Sequence, residues 1–214
     1  VTCVNPSRAP VKRIIRLEVT KDGSGRPLYA SAAGMGGEIP ARDSATFTYR
    51  LSGLSPELWS PETPHVYRLR VRLMKPEAGG REVDDDERSV FIGFRTFEVR
   101  AGRFFLNGNP YWLRGANHPP CGIAPNDTLL ANRFMQLMHD GNQMATRSHG
   151  CPFTETWMDA ADRQGVAVSY EGTWPWLMIT GSPDDRLVSI WRNEFLGLVK
   201  RFRNHPSLFV WTVN

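Results

Sequence analysis

Cysteine is scarce in this sequence: three residues, Cys3, Cys121 and Cys151, in 214. They are too few and too widely spaced for a disulfide framework or a CxxC metal knuckle, so free thiols are expected. No apolar run approaches the roughly 20 residues that span a bilayer. The first residues also lack the basic start and apolar stretch of a secretory signal. Nor is there a basic block of the kind that marks a nucleic-acid surface. Lys and Arg total 26 against 22 Asp and Glu, a net charge of +4, and the arginines are scattered along the chain around one acidic run, Asp84 to Glu87. What remains is ordinary: 41% hydrophobic and 22% charged residues, a balance that supports a globular chain with a sizeable core.

The chain has two halves with different patterning. Up to about Arg100, short β-type runs alternate with clusters of Gly, Pro and Asp: "RIIRLEVT", "ATFTYRLSG", "VYRLRVRLM" and "RSVFIGFRTFEVR". In "VYRLRVRL", Val66, Leu69, Val71 and Leu73 stand among arginines, with strict alternation from Leu69 onward, so one face is buried and the other wet. Several such strands within roughly 100 residues predict an antiparallel β-sandwich.

After "GRFFLNGNP", whose Asn107-Gly108 is a hairpin signal, strands and helices alternate. "YWLRGAN" is a strand candidate. In "NDTLLANRFMQLMHDG" Leu130, Phe134, Leu137 and Met138 form an apolar helical face, with Asp127 or Thr128 as cap and Gly141 as stop. "QMATRSH", the helix "TETWMDAADRQG" ended by Gly165, and "VAVSYEG" follow. A longer helix, "DDRLVSIWRNEFLGLVKRFRN", carries Leu187, Trp191, Phe195, Leu198 and Phe202 on one stripe, acids at its start and Lys200, Arg201 and Arg203 at its end. Pro206 breaks it, and "SLFVWTV" is apolar enough for a strand covered on both faces.

Four strands alternating with helices predict a parallel β/α architecture, in which chemistry gathers at the carboxyl ends of the strands. Those ends are Arg114 to His118, Arg147 to His149, Glu171 to Trp176, and Asn214. Arg147, Glu171 and Asn214 are therefore expected at one end of the sheet. A barrel of this kind closes at eight strands, so the pattern reads as half a barrel.

Three stretches, "LWSPETPHVYRLRVRL", "IGFRTFEVRAGRFFLNGNPYWLRGAN" and "RFRNHPSLFVWTVN", in this order and spacing, resemble glycoside hydrolase family 2, the family of β-galactosidases, β-glucuronidases and β-mannosidases. The resemblance implies an immunoglobulin-like β-sandwich over residues 1–100, followed over 101–214 by the first four β/α units of a TIM-type barrel. In the family the last stretch reads on as Trp-Ser-x-Gly/Ala-Asn-Glu, whose glutamate is the general acid/base. Trp211, Thr212, Val213 and Asn214 fill its first four places, so the chain is expected to stop two residues short of that glutamate. The nucleophilic glutamate near the end of a seventh strand and the family's jelly-roll domain are likewise not expected here. The implied protein is a fragment of a retaining exo-type β-glycosidase, inactive by itself, because that mechanism needs two carboxylates about 5–5.5 Å apart.

The resemblance also assigns substrate-binding residues. Arg147 matches the arginine that ends the family's second strand and clamps the nucleophile carboxylate. His149 stands where many members have serine and is placed to meet a sugar hydroxyl. Glu171 occupies the glutamate of the family's Asp-Glu pair, with Tyr170 in place of the aspartate. Asn117 and His118 end the first strand near the family's Asn-x-His, and Met144 replaces an asparagine. Independently of the resemblance, Trp174 and Trp176 just beyond the third strand are expected either to stack on a pyranose face, since aromatic rings bury CH-rich surface well, or to pack in the core. The expected partner is a β-glycoside, with no nucleic acid and no membrane, and a homo-oligomer is compatible with the sequence. A non-catalytic carbohydrate-binding or scaffold module is the alternative. A metallohydrolase built on His118, His149 and Cys121 or Cys151 lacks any spaced signature such as HExxH, so no metal or cofactor is expected.

Overall fold

The structure, a computed structural model, describes residues 1–32, 34–117, 119–172 and 184–213. The chain divides into two compact units that interleave in sequence: Val1–Pro56 with Tyr67–Phe91, and Glu57–Val66 with Ile92–Asn214.

The first unit is built from antiparallel strands. β1 (Thr2–Asn5) pairs with β5 (Asp43–Thr46) in a two-stranded sheet. A five-stranded sheet is organised by β2 (Val11–Lys21). On one edge β2 pairs with β6 (Tyr67–Pro76), which is followed by β7 (Glu82–Ile92); on its other edge β3 (Pro27–Ala30) and β4 (Met35–Ile39) share its length. The alternation in the sequence sets the register: Ile15, Leu17 and Val19 stand opposite Leu73, Val71 and Leu69. Ile15 and Leu17 join Cys3 and Ile39 in a core flanked by Phe47, Tyr49 and Leu51. The expected strand "ATFTYRLSG" is realised as a strand only at Ala45 and Thr46. The assigned strand ends at Thr46; Phe47 still exchanges backbone hydrogen bonds with Val1, at 2.8 and 2.9 Å, and the residues beyond keep the alternate burial.

The acidic run lies within β7, and acids of that strand pair with arginines of β2 and β6. Glu82 bonds Arg16 at 2.7 Å, Asp85 bonds Arg13 at 2.6 Å, and Glu87 reaches Arg70 at 3.4 Å. Arg13, Arg16 and Arg70 are therefore paired with acids of their own sheet.

The second unit opens with a three-stranded antiparallel sheet, β8 (Phe97–Arg100), β9 (Arg103–Leu106) and β10 (Asn109–Pro110). Asn107 (φ 52°) and Gly108 (φ 82°) form the turn between β9 and β10, with the paired positive φ values that a tight hairpin turn requires. Four parallel strands then lie side by side in sequence order: β11 (Gly115–Asn117), β12 (Ala145–Arg147), β13 (Ala167–Glu171) and β14 (Leu208–Thr212). β11 is shorter than "YWLRGAN" suggests. Tyr111 instead prolongs the hairpin, its N–H donating to Phe104 O at 2.9 Å, and Trp112 stands 81% exposed.

Between the strands run α1 (Thr128–Asp140), α2 (Glu155–Gln164) and α3 (Asp185–Phe202). Their boundaries follow local chemistry. The Asp127 carboxylate accepts from Leu130 N–H at 2.9 Å and the Asp184 carboxylate from Leu187 N–H at 2.7 Å, each satisfying an orphan donor of the first turn. Gly165 ends α2 in the left-handed conformation. The helices and one face of the parallel sheet share a core of Ala131, Met135, Met138, Trp157, Met158, Ala161, Val168, Tyr170, Phe202 and Leu208. One position of α1 departs from expectation: Leu137 is 52% exposed. The buried stripe runs through Ala131, Met135 and Met138, flanked by Leu130 and Phe134, which turns the helix about one residue away from the face read in the sequence.

Candidate functional site

Alternation along β13 sorts its residues. Val168 and Tyr170 face the helices, while Ala167, Ser169 and Glu171 take the opposite face. Tyr170 is fully buried, donates its hydroxyl to Phe153 O at 2.7 Å and stacks on Phe202. Burial raises its pKa. The tyrosine that replaces the family's aspartate is therefore a core residue. Trp211 of β14 is also on the helix side, 5.4 Å from the Tyr170 ring and 5.8 Å from that of Phe195.

The other face carries the polar strand ends. Register aligns Asn117 with Arg147, Arg147 with Ser169, and Glu171 with Thr212, so these residues stand at the carboxyl end of one parallel sheet. Arg147 Nε donates to Glu171 Oε2 at 2.7 Å. Glu171 is buried, whereas a third of the Arg147 side chain remains open to solvent. The Glu171 backbone N–H donates to Ser148 Oγ at 2.8 Å, and Ser148 N–H in turn donates to Ser169 O at 3.2 Å. Ser169 Oγ and Thr212 Oγ1 are 2.6 Å apart. The result is a polar layer held by cross-strand hydrogen bonds, with one guanidinium partly exposed.

Arg147 and Glu171 are thus brought together. Asn117 is exposed on the edge strand β11, and His149 is half-buried two residues beyond β12. His118, Trp174, Trp176 and Asn214 lie outside the described residues. Ser148, Ser169 and Thr212 were missed in the sequence, although the alternation of β12 to β14 places Ser169 and Thr212 on the face of Arg147 and Glu171.

The three cysteines are free thiols, and Cys121 Sγ lies 3.9 Å from the carbonyl oxygen of Cys151. Burial, followed by the neighbouring Cys151, pushes the Cys121 thiol up to about 12. It is not a thiolate nucleophile at neutral pH.

Known relatives of this chain are glycoside hydrolases. A beta-galactosidase of Vibrio cholerae is 29% identical over 175 residues, 77% of this chain and 16% of its own length. Beta-galactosidase 2 of Enterobacter cloacae is 31% identical over 168 residues, again 16% of its length. The chain therefore spans about a sixth of the curated relatives it matches. Among solved structures, a beta-glucuronidase of Bacteroides uniformis superimposes on 98% of the chain with a TM-score of 0.79 at 20% identity, over 24% of its own chain. Residues 14–95 match the sequence model of glycosyl hydrolases family 2, and the chain is a member of that family by this segment and these relatives.

Proposed function

We propose that this chain supplies an immunoglobulin-like β-sandwich, over about residues 1–100, and the first four β/α units of a TIM-type barrel, over 101–214, to a retaining exo-acting β-glycosidase. The antiparallel sheets of the first unit and the four parallel strands with intervening helices of the second support this reading. The observation that carries it is the Arg147–Glu171 pair at the carboxyl ends of β12 and β13, the end of a β/α barrel where catalysis is assembled.

On this reading Arg147 positions a catalytic carboxylate. A guanidinium offers five N–H donors; Glu171 takes Nε–H, which leaves the terminal nitrogens to hold a second carboxylate in its ionised, nucleophilic form. Glu171 fixes the guanidinium plane from its buried side. Asn117 and His149 are assigned to the glycoside, as are His118, Trp174 and Asn214, which lie outside the described residues. Both catalytic glutamates lie outside these residues on this assignment, so the chain by itself is without turnover.

The test compares the 214-residue chain with the product of the longest open reading frame that contains it, using a panel of aryl β-glycosides. Turnover by the longer product alone, lost on Arg147→Ala, is the expected outcome. Hydrolysis by the 214-residue chain after contaminating glycosidases are removed would overturn the reading. Saturable monosaccharide binding without turnover in either protein would also overturn it, in favour of a non-catalytic carbohydrate-binding module.

A further inference from the structure

Helix α2 carries Glu155, Asp159 and Asp162 at spacings of four and three, which set the three carboxylates along one stripe. The turn between α3 and β14 brings His205 against that stripe. Its Nδ1 is 2.7 Å from Asp162 Oδ2 and its Nε2 is 3.3 Å from Glu155 Oε1. The ligand atoms of Glu155, Asp159 and His205 all lie within 4.8 Å of one another. Burial is graded across the group: Asp162 and His205 are buried, Asp159 is intermediate and Glu155 exposed. The cluster is anchored on one side and open on the other.

We propose that Glu155, Asp159 and His205 bind a single divalent transition-metal ion, with zinc as the best fit. Asp162 makes the histidine a ligand. Its Oδ1 accepts from the Ser207 backbone N–H at 3.0 Å, so its Oδ2 is held in place to accept the His205 Nδ1–H. With an ion bound, that bond would leave the lone pair on Nε2, on the side of Glu155. A metal-binding histidine oriented through its other nitrogen by a carboxylate is a recurrent arrangement.

The distances suit the ion. Zinc–nitrogen and zinc–oxygen bonds of about 2.0–2.2 Å set neighbouring ligands of a tetrahedral site roughly 3.3–3.5 Å apart. The Nε2 to Oε1 separation of 3.3 Å already has that length, and the Asp159 oxygen lies within 4.8 Å of both atoms. Arg201 Nε holds Glu155 Oε2 at 3.0 Å, which leaves Oε1 for the ion. One nitrogen and two carboxylate oxygens suit zinc better than magnesium or calcium, which prefer all-oxygen shells. Water fills the fourth position. The ion would tie α2 to the segment that leads into β14.

Without metal, the same geometry describes an imidazolium shared among carboxylates, and titration distinguishes the two. The 214-residue chain, stripped with chelator, is titrated with cobalt(II) and then with zinc. The expected result is one equivalent of cobalt with the intense visible bands of a tetrahedral ion, displaced by zinc. Asp159→Asn and Glu155→Gln, at sites that are not deeply buried, should each weaken binding by about 10- to 100-fold with unchanged circular dichroism. A Cys121→Ser/Cys151→Ser variant should bind as the parent does. Absence of stoichiometric binding, retention of full affinity in both carboxylate variants, or loss of binding in the cysteine variant would each overturn the proposal.

Discussion

The indole N–H of Trp59 donates to the carbonyl oxygen of Asp162 at 2.8 Å, and both residues are fully buried. The tryptophan belongs to Glu57–Val66, a segment that joins the second compact unit although it lies amid the residues of the first. Its own backbone is held as well: the Trp59 N–H donates to Phe94 O at 2.8 Å, and Asn107 Nδ2 donates to Trp59 O at 3.0 Å. Its ring meets the Phe209 ring of β14 edge-on, with centroids 5.7 Å apart.

Two losses follow from truncating this side chain. Trp59→Ala removes the buried ring and should destabilise the second unit by about 3–5 kcal/mol. Trp59→Phe keeps much of the volume but orphans the Asp162 carbonyl, at a cost of about 1–3 kcal/mol. Urea denaturation followed by far-UV circular dichroism gives both values, and a smaller loss in the alanine variant than in the phenylalanine variant would contradict this account.

Gly165 offers a sharper test of the same segment. Its φ is 74°, and a Cβ at this position would lie 2.1 Å from the carbonyl oxygen of Pro61. Left-handed backbone alone costs a non-glycine residue roughly 1–2 kcal/mol, and the obstructing atom is backbone, which cannot swing aside. Gly165→Ala should therefore lower stability by more than that, about 2–4 kcal/mol. Gly102→Ala, also at positive φ but with nothing within 4 Å of the added carbon, should show only the conformational part of about 1–2 kcal/mol. Thermal melts of the pair separate strain from clash.

These contacts also show where the sequence is informative. The ends of α1, α2 and α3 were legible because Asp127, Gly165 and Asp184 act within one helical turn of themselves. Arg147 and Glu171 were legible because parallel strands place successive strand ends side by side, and period-two alternation then selects the face. Leu137 was misplaced because several registers of an apolar helix fit the same pattern, and only the packing of Met135 and Met138 decides among them. The attachment of Trp59 was not legible. Its partner lies 103 residues away, and nothing in "LWSPETP" distinguishes a strand of the first unit from a plug in the second.

Charge pairing in the first unit predicts an acid response. The hydrogen bond from Arg16, followed by its charge, holds the Glu82 carboxyl below its ordinary value of 4.5. A carboxyl whose folded pKa is depressed contributes stability that is present above the unfolded value and lost as pH falls through the folded one. Side-chain carboxyl resonances followed by NMR should show Glu82 titrating below 4.5, and the midpoint should return toward the ordinary value in Arg16→Gln. A normal Glu82 midpoint in the parent protein would remove the Arg16–Glu82 bond from the solution structure.

The Arg147–Glu171 pair calls for a double-mutant cycle, because single substitutions mix two effects. Arg147→Ala leaves Glu171 buried without this cation, and breaking buried pairs in this way costs about 3–5 kcal/mol. Arg147 is itself one-third exposed, so water can reach the site and the loss should fall below that range, at about 1–3 kcal/mol. Glu171→Gln keeps an acceptor for Nε–H and should cost less. The coupling energy from Arg147→Ala, Glu171→Ala and the double variant should be about 0.5–3 kcal/mol in favour of the pair. A Lys at position 147 should restore little of it, since an ammonium cannot reproduce the planar Nε geometry. Coupling indistinguishable from zero would mean that the two side chains contribute to stability independently, and Glu171 would then no longer explain how the guanidinium is held at the end of the sheet.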